Sequence, residues 1–504
     1  MTDAIVLAIV GPIVAAVLTL ILGLRFDAVG WPMALLATVA EVGLTGVIGW
    51  EVIQNGRLSY ELAGFAPPAG IELVADALSA PVAVLIAVVS LAVLVYARTA
   101  GPRGNMFYIV YLLLVGGLAG VTLTGDLFNM YVFLEITGLA AYALVATGDT
   151  AKSAIAGLKY LIVGTIGASL FLLGVGYAFL ATGTLNMADL SERLGSVAAY
   201  DSRLVIAAFG LIIAGLAVKV ALFPVHSWQP DAYESSPDSV SIFISALVST
   251  VAAYAMGRVL LTVFTPAFFD AVPMARELLV HAAALSILAG STLAVLQQNI
   301  KRMLAYSSVS QFGMVIAAFA LMNEMAVVGG VIHLVGHAIM KGGLFAAAGI
   351  IAAITGSRRI DDYAGLANRA PVVAGAFAVL AFAMVGVPPA VGFVGKWYIA
   401  FGAVESGTWA VAAVLLVSTL LTLAYFARII ERMYFAAPEP EPEASAPVPT
   451  ATDGGEATDE GEYPVSPGMV AIVVLAAVAA VALGFFGTTI ESLLDPMLTE
   501  VFAQ

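Results

Sequence analysis

Six lysines occur in 504 residues, and four of them, Lys159, Lys219, Lys341 and Lys396, fall inside stretches apolar enough to enter a bilayer. Each such charge costs about 2.5–3.5 kcal/mol on membrane-insertion scales. Lys159 sits close enough to a predicted helix end for its ammonium to snorkel to the interface. Lys219 and Lys396 are near mid-span and have no such escape. A carboxylate joins them: Glu135 is embedded in GDLFNMYVFLEITGLAAYALVA (125–146), apolar on both sides. Burial disfavours the charged form of amine and carboxyl alike. Glu135 and Lys219 placed together therefore stay ionised, and drawn apart each is driven to neutrality. HLVGHAIMKGGLF (333–345) adds His333, His337 and Lys341 at successive four-residue spacing. That spacing puts them on one helix face, a polar stripe about 12 Å long. Histidine titrates near neutral pH unaided, so the stripe has the chemistry of a proton relay. No cysteine and no nearby carboxylate completes a zinc site there, and neither metal nor cofactor is expected.

These groups must be carried by membrane helices. The chain is 61% hydrophobic and 11% charged, far from the roughly 25% charged residues of soluble domains. With about 20 apolar residues per crossing, the sequence predicts an all-α polytopic membrane protein of about fourteen spans. They fall near 3–23, 31–53, 76–97, 106–123, 127–147, 153–181, 204–224, 239–263, 279–296, 303–321, 325–355, 371–402, 407–430 and 467–490. The apolar N-terminus lacks a basic leader and a cleavage pattern, which predicts a retained first span. Two spans are interrupted, at Pro224 and Pro230 and at Pro388 and Pro389. Proline breaks the helical ladder, and membranes tolerate the freed groups only where protein or water satisfies them. Each break lies a few residues from a lysine, Lys219 or Lys396.

Charge gives orientation and a linker. Loops after odd-numbered spans hold eleven basic residues, among them Arg25, Arg98, Lys152, Lys301, Arg358 and Arg432, against Arg57, Arg193, Arg203 and Arg276 after even ones. The excess of Lys and Arg marks the cytoplasmic side and predicts both termini outside, in a multi-pass prokaryotic cell-membrane protein. Eight acidic residues without a Lys or Arg occupy 436–466 and supply more than half of the net charge of −14. That composition predicts a disordered, solvated linker and gives no sign of a nucleic-acid partner.

GDLFN with the intramembrane Glu135, Lys219 with FPVHSWQPDAY (223–233), AYSSVSQFGMV (305–315), HLVGHAIMKGGLF and GVPPAVGFVGKW (386–397) together resemble the antiporter-like subunits of respiratory complex I, membrane-bound hydrogenases and multisubunit Mrp cation/proton antiporters. The resemblance spans essentially the whole chain. GDLFN with KYLIVGTIGASLFLLG (159–174) looks most like the D-type subunit of the Mrp-type Na+/H+ antiporters. It implies fourteen helices with two inverted five-helix repeats, each containing a broken helix: N-terminal helices in 1–100, repeats in 101–263 and 264–435, then the linker and a last helix in 467–504. It also implies proton translocation along Glu135, Lys219, His333, His337, Lys341 and Lys396, with Lys159, Asp126, His226 and Thr250 as accessories. The implied partners are Mrp A, B, C, E, F and G type subunits, H+ and Na+, and the lipid bilayer. One departure stands out: Thr250 occupies the eighth-span position where the family carries a lysine. A hydroxyl can hold water or Na+ but carries no ammonium, which weakens the link from Lys219 to the second half. The alternatives are a proton-pumping subunit of an NADH-quinone oxidoreductase or hydrogenase type redox complex, with redox chemistry left to its partners, and a transport-inactive scaffold subunit.

Overall fold

The structure is a computed structural model describing residues 2–437 and 463–503. Its main helices, in chain order, are α1 (Asp3–Gly23), α2 (Gly30–Asn55), α3 (Ser79–Ala100), α4 (Asn105–Leu123), α5 (Leu127–Val145), α6 (Ala151–Thr182), α7 (Arg203–Val220), α8 (Trp228–Ser235) and α9 (Asp238–Ala271). There follow α10 (Pro273–Val295), α11 (Ile300–Ala320), α12 (Glu324–Thr355), α13 (Pro371–Val385), α14 (Val391–Glu405), α15 (Trp409–Tyr434) and α16 (Pro467–Phe502). Among the described residues, thirteen helices are long and apolar enough to cross a membrane. The one remaining crossing, the twelfth, predicted over 371–402, consists of α13 and α14, 15 residues each. Neither reaches the length of a full span.

Polar caps start several helices, and glycine ends two of the long ones. Asp126, Thr150, Ser202, Asn299 and Asn323 each accept a first-turn backbone N–H at the start of α5, α6, α7, α11 and α12, satisfying groups a helix start leaves unpaired. The two 32-residue helices, α6 and α12, both end on a left-handed glycine, Gly183 at φ +75 and Gly356 at φ +69. Each precedes an interrupted helix. In the first, α7 stops when Ala221 turns left-handed (φ +66), and α8 resumes after Pro224. In the second, Gly386 (φ +99) separates α13 from α14.

Burial sorts the bundle. The apolar window of α9 is 100% buried and that of α11 94%, against 28% for α2 and 33% for α15. Outer helices turn Leu36, Leu158, Leu180, Leu416 and Leu420 outward, where lipid is as good a solvent as protein. The central helices α9, α11 and α12 keep Thr250, Gln311, His333, His337 and Lys341 inside, as expected when hydrocarbon offers no hydrogen bonds.

Several expectations need correction. Lys152 and Lys301 lie in the first turns of α6 and α11, not in loops. The connection between α2 and α3 holds a two-stranded antiparallel hairpin, β1 (Leu58–Glu61) with β2 (Glu72–Ala75), pairing Leu58 with Ala75. The last helix runs past 490 to Phe502 through a tight 3-10 turn at Leu483–Phe486. The predicted linker lies, over 438–462, outside the described residues.

Candidate functional site

The break after α7 builds the first group. Lys219 occupies the last turn of α7, and its Nζ donates to Glu135 Oε1 on α5 at 2.9 Å and to Tyr142 Oη at 3.1 Å. Glu135 and Tyr142 are two turns apart on α5 and present one face to the lysine. A helix end leaves carbonyls without partners, and here Trp228 Nε1 donates to the Val218 carbonyl at 2.9 Å. Trp228 stacks on Tyr160 at 3.9 Å with rings nearly parallel, and Tyr160 meets Tyr142 edge-on at 4.4 Å. The aromatic chain fixes Tyr142, which fixes Lys219.

The second break is arranged differently. Lys396 on α14 donates from Nζ to the Met384 and Val385 carbonyls at 2.8 and 3.0 Å. Those carbonyls end α13, so the lysine sits on the negative pole of a half-helix, with no carboxylate in its hydrogen-bonded set. Lys341 likewise donates to the Leu304 carbonyl at 2.7 Å and to Ser307 Oγ on α11. His333 Nε2 pairs with Gln311 Oε1 at 2.8 Å. His337 lies edge-on to Phe312 at 4.5 Å, and among the described residues neither of its ring nitrogens has a hydrogen-bond partner. The α12 stripe thus faces α11 along its length, all three groups fully buried.

Between Lys219 and that stripe stand neutral groups. Gln229 Nε2 on α8 donates to Tyr233 Oη and Ser249 Oγ, both at 3.1 Å, and Tyr233 rests edge-on against Phe345 of α12 at 5.7 Å. Thr250 is fully buried next to Ser249, its hydroxyl without a hydrogen-bond partner among the described residues.

The remaining accessories go elsewhere. Asp126 caps α5 through the Asn129 N–H at 2.7 Å; burial pushes its carboxyl up, and the Asn129 and Phe128 amides pull partly back. Lys159 Nζ contacts Asp231 Oδ2 at 2.6 Å in a half-exposed cluster with Arg302 and Glu234. His226 lies in the first break beside Phe223 and Tyr306.

Sequence reasoning missed Tyr142, although its seven-residue spacing from Glu135 was visible. It missed Glu41, a fully buried carboxyl in α2, although an acid in an apolar span was the same signal as Glu135. It missed Asp238, which accepts from Lys301 Nζ at 3.2 Å, from both Arg358 Nη atoms at 2.9 and 3.0 Å and from Tyr463 Oη at 2.8 Å. It missed Asp76, which accepts from Arg258 Nη1 at 2.6 Å. Burial pushes the Asp76 carboxyl up, but the Arg258 charge and the Ser79 amide outweigh it and hold the group below the usual carboxylate range.

A helical bundle whose ionisable side chains turn inward, two of them at helix breaks, is built as an ion-conducting membrane protein. Residues 124–422 match the NADH:quinone oxidoreductase/Mrp antiporter transmembrane family, and the chain belongs to it. It is 46% identical over 407 residues to NADH-quinone oxidoreductase subunit N of Desulforudis audaxviator, covering 79% of this chain and 80% of that one. It is 31% identical over 435 residues to the D-type subunit of the Na(+)/H(+) antiporter of Bacillus subtilis, covering 85% and 86%. It superimposes on a chain of the Mrp complex from Dietzia sp. DQ12-45-1b with a TM-score of 0.87 at 26% identity, over 99% of this chain and 97% of that one.

Proposed function

We propose that this chain is the proton-translocating membrane subunit of a multisubunit Na+/H+ antiporter. Protons pass among Glu135–Lys219, Lys341 with its histidines, and Lys396. The observation that carries the reading is the asymmetry among the lysines: Lys219 is held by a carboxylate at 2.9 Å, while Lys341 and Lys396 are held by carbonyls and a hydroxyl. Bringing Glu135 to Lys219 favours the ammonium, and withdrawing it favours release of a proton. The neutral Gln229–Tyr233–Ser249 cluster lies between the halves, and Thr250 adds a hydroxyl where a charge relay would need an amine. Transfer across this region then runs through hydroxyls and water. In this reading the repeats occupy 101–263 and 264–435, both termini lie outside the cell, and the partners are the other Mrp-type subunits. Glu135→Gln in the assembled complex is expected to reduce Na+-driven proton flux in vesicles at least tenfold. Undiminished flux removes Glu135 from the mechanism.

A second reading is favoured by the 46% identity to a subunit N of NADH-quinone oxidoreductase: the chain pumps protons inside a redox complex whose electron carriers reside in its partners. Purification of the intact complex separates the two. Small antiporter subunits co-purifying support the first, and iron–sulfur or quinone-reducing subunits support the second.

A further inference from the structure

Glu41 of α2 is 1% exposed, and among the described residues its enclosed Oε1 has no hydrogen-bond partner. The helices around it share one fixed reference point. Gly23, which ends α1, and Gly30, which begins α2, both abut Asn105 at the start of α4. Asn105 accepts the Gly30 N–H at 2.8 Å and donates to the Phe26 carbonyl at 2.9 Å. Eleven residues from that point, about 16 Å at helical rise, stand Pro12 on α1, Glu41 on α2 and Gly116 on α4. A Cβ built at Gly116 would lie 2.7 Å from Ile13 Cγ1 and 3.2 Å from the Ile9 carbonyl, so α4 meets α1 at that level. Proline has no N–H, so the Ala8 carbonyl, one turn before Pro12, has no amide to receive. Ala8, Pro12 and Glu41 all belong to the buried faces of their helices.

The charged and titratable groups of the elements packed on α2 stand well away from this level. On α1 there is only Asp3, nine residues from Pro12. The other acid of α2, Glu51, lies ten residues on and accepts from Asn55 Nδ2 at 2.7 Å. On α3, Arg98 covers the Trp31 ring at 4.2 Å, ten residues or about 15 Å along α2 from Glu41, and Tyr96 Oη donates to the Ala346 carbonyl at 3.1 Å. On α4, Tyr111 Oη donates to the Ser90 carbonyl, and Tyr108 lies against Gly30. Arg57, Tyr60, Glu61 and Glu72 of the hairpin region pack past the end of α2 at Asn55. A buried carboxylate with no cation near it takes up a proton and becomes neutral. One proton then meets two needs: it removes the buried charge and gives the Ala8 carbonyl a donor.

Between Glu41 and Glu135 stands α4. Gly116 turns to α1, while Gly117 and Gly120 lie against Thr137 and Phe133 of α5, and residues 112–121, LLLVGGLAGV, carry no polar side chain. We infer that Glu41 is a resident proton-binding site: a neutral carboxylic acid whose O–H donates to the Ala8 carbonyl and ties α2 to α1, apart from the Glu135–Lys219 pair. The proton is held and not passed on, because the wall of α4 offers no group to receive it. The bond matters because hydrocarbon supplies no substitute donor. Its pH dependence has a definite sign. In the unfolded chain the carboxyl is ionised above about pH 4.3, so folding takes up one proton. Each pH unit above that value weakens folding about tenfold, until the folded acid itself ionises. The inference does not depend on the proposed function.

Two substitutions in the assembled complex test it: Glu41→Gln, which stays neutral and keeps a donor, and Glu41→Leu, which is neutral and has none. Glu41→Gln is expected to give at least half the wild-type yield of complex and Glu41→Leu several-fold less; equal recovery of the two overturns the hydrogen bond. Unfolding midpoints of wild type and Glu41→Gln would be followed from about pH 5 to about pH 8, the range above the ordinary carboxyl value. The wild-type midpoint is expected to fall by several degrees relative to that of Glu41→Gln as pH rises, and a constant difference overturns the resident proton. The infrared C=O stretch of a neutral carboxyl, recorded near neutral pH, is expected to be weaker in Glu41→Gln than in wild type by one group; identical spectra overturn it. Proton flux of Glu41→Gln in vesicles is expected within twofold of wild type. A tenfold fall would place Glu41 on the transport path and overturn its assignment as a held proton, while Glu135→Gln, measured alongside, reports separately on the proposed function.

Discussion

Asp238 gathers four donors from three other regions of the chain: Lys301 of α11, both Nη atoms of Arg358 after α12, and Tyr463 before α16. It explains why residues 234–241, ESSPDSVS, are so polar at the head of the most buried helix. Removing the charge takes from Arg358 both of its hydrogen bonds to a carboxylate that is 3% exposed, and breaking a buried pair by removing one partner typically costs about 3–5 kcal/mol. Asp238→Asn is therefore expected to lower the unfolding midpoint of the purified complex by several degrees. Lys159→Ala, which removes a half-exposed ion pair with a typical worth of about 0–1 kcal/mol, should scarcely move it. Equal midpoints for the two variants would show that water satisfies Asp238's partners. Residue types were legible in the sequence and their company was not. Lys301 reads as a loop residue because it stands at a span edge, and Asp238, 63 residues away, reaches it only through the tertiary fold.

Helix positions were the most legible part, because a crossing needs a fixed length of apolar chain. The interruptions were legible too, since proline has one physical effect on a helical ladder. What each break does with its freed carbonyls was not: an indole meets one in the first break, and the lysine itself meets two in the second. The hairpin escaped notice because its four-residue strands give too short an alternation to stand out. The element that sets Lys396 against the histidine stripe is the close approach of α14 to α12. A Cβ built at Gly395 would lie 2.8 Å from His333 Cβ and 3.0 Å from its backbone, and one at Gly329 would lie 2.6 Å from Ile399 N. Gly395→Ala must push these helices apart, at a typical overpacking cost of about 1–3 kcal/mol. The expected outcome is an assembled complex with several-fold slower proton flux. Wild-type flux in Gly395→Ala would mean that the spacing of Lys396 from His333 does not matter to transport.

Across the whole molecule, charge is distributed by depth: ion pairs of the Asp238 and Asp231 clusters tie the ends of helices, while a single carboxylate–lysine pair and two carbonyl-held lysines occupy the two breaks and the stripe between them. The Asp238 cluster has a consequence for connectivity. Residue 463 is the first described position after 437, and its hydroxyl is already bonded to Asp238 and to the Gly349 carbonyl. Beyond it, α16 packs against α12 and α13 and buries Met469, Val473, Ala477 and Ala480. These contacts are expected to hold the last helix in place without the covalent connection. Expressed as two separate polypeptides, 1–437 and 463–504, the protein should reconstitute by fragment complementation and co-purify through a tag on the smaller piece. Tyr463→Phe should weaken that recovery, and failure of the fragments to associate would mean that covalent tethering, not the ionic knot, retains α16.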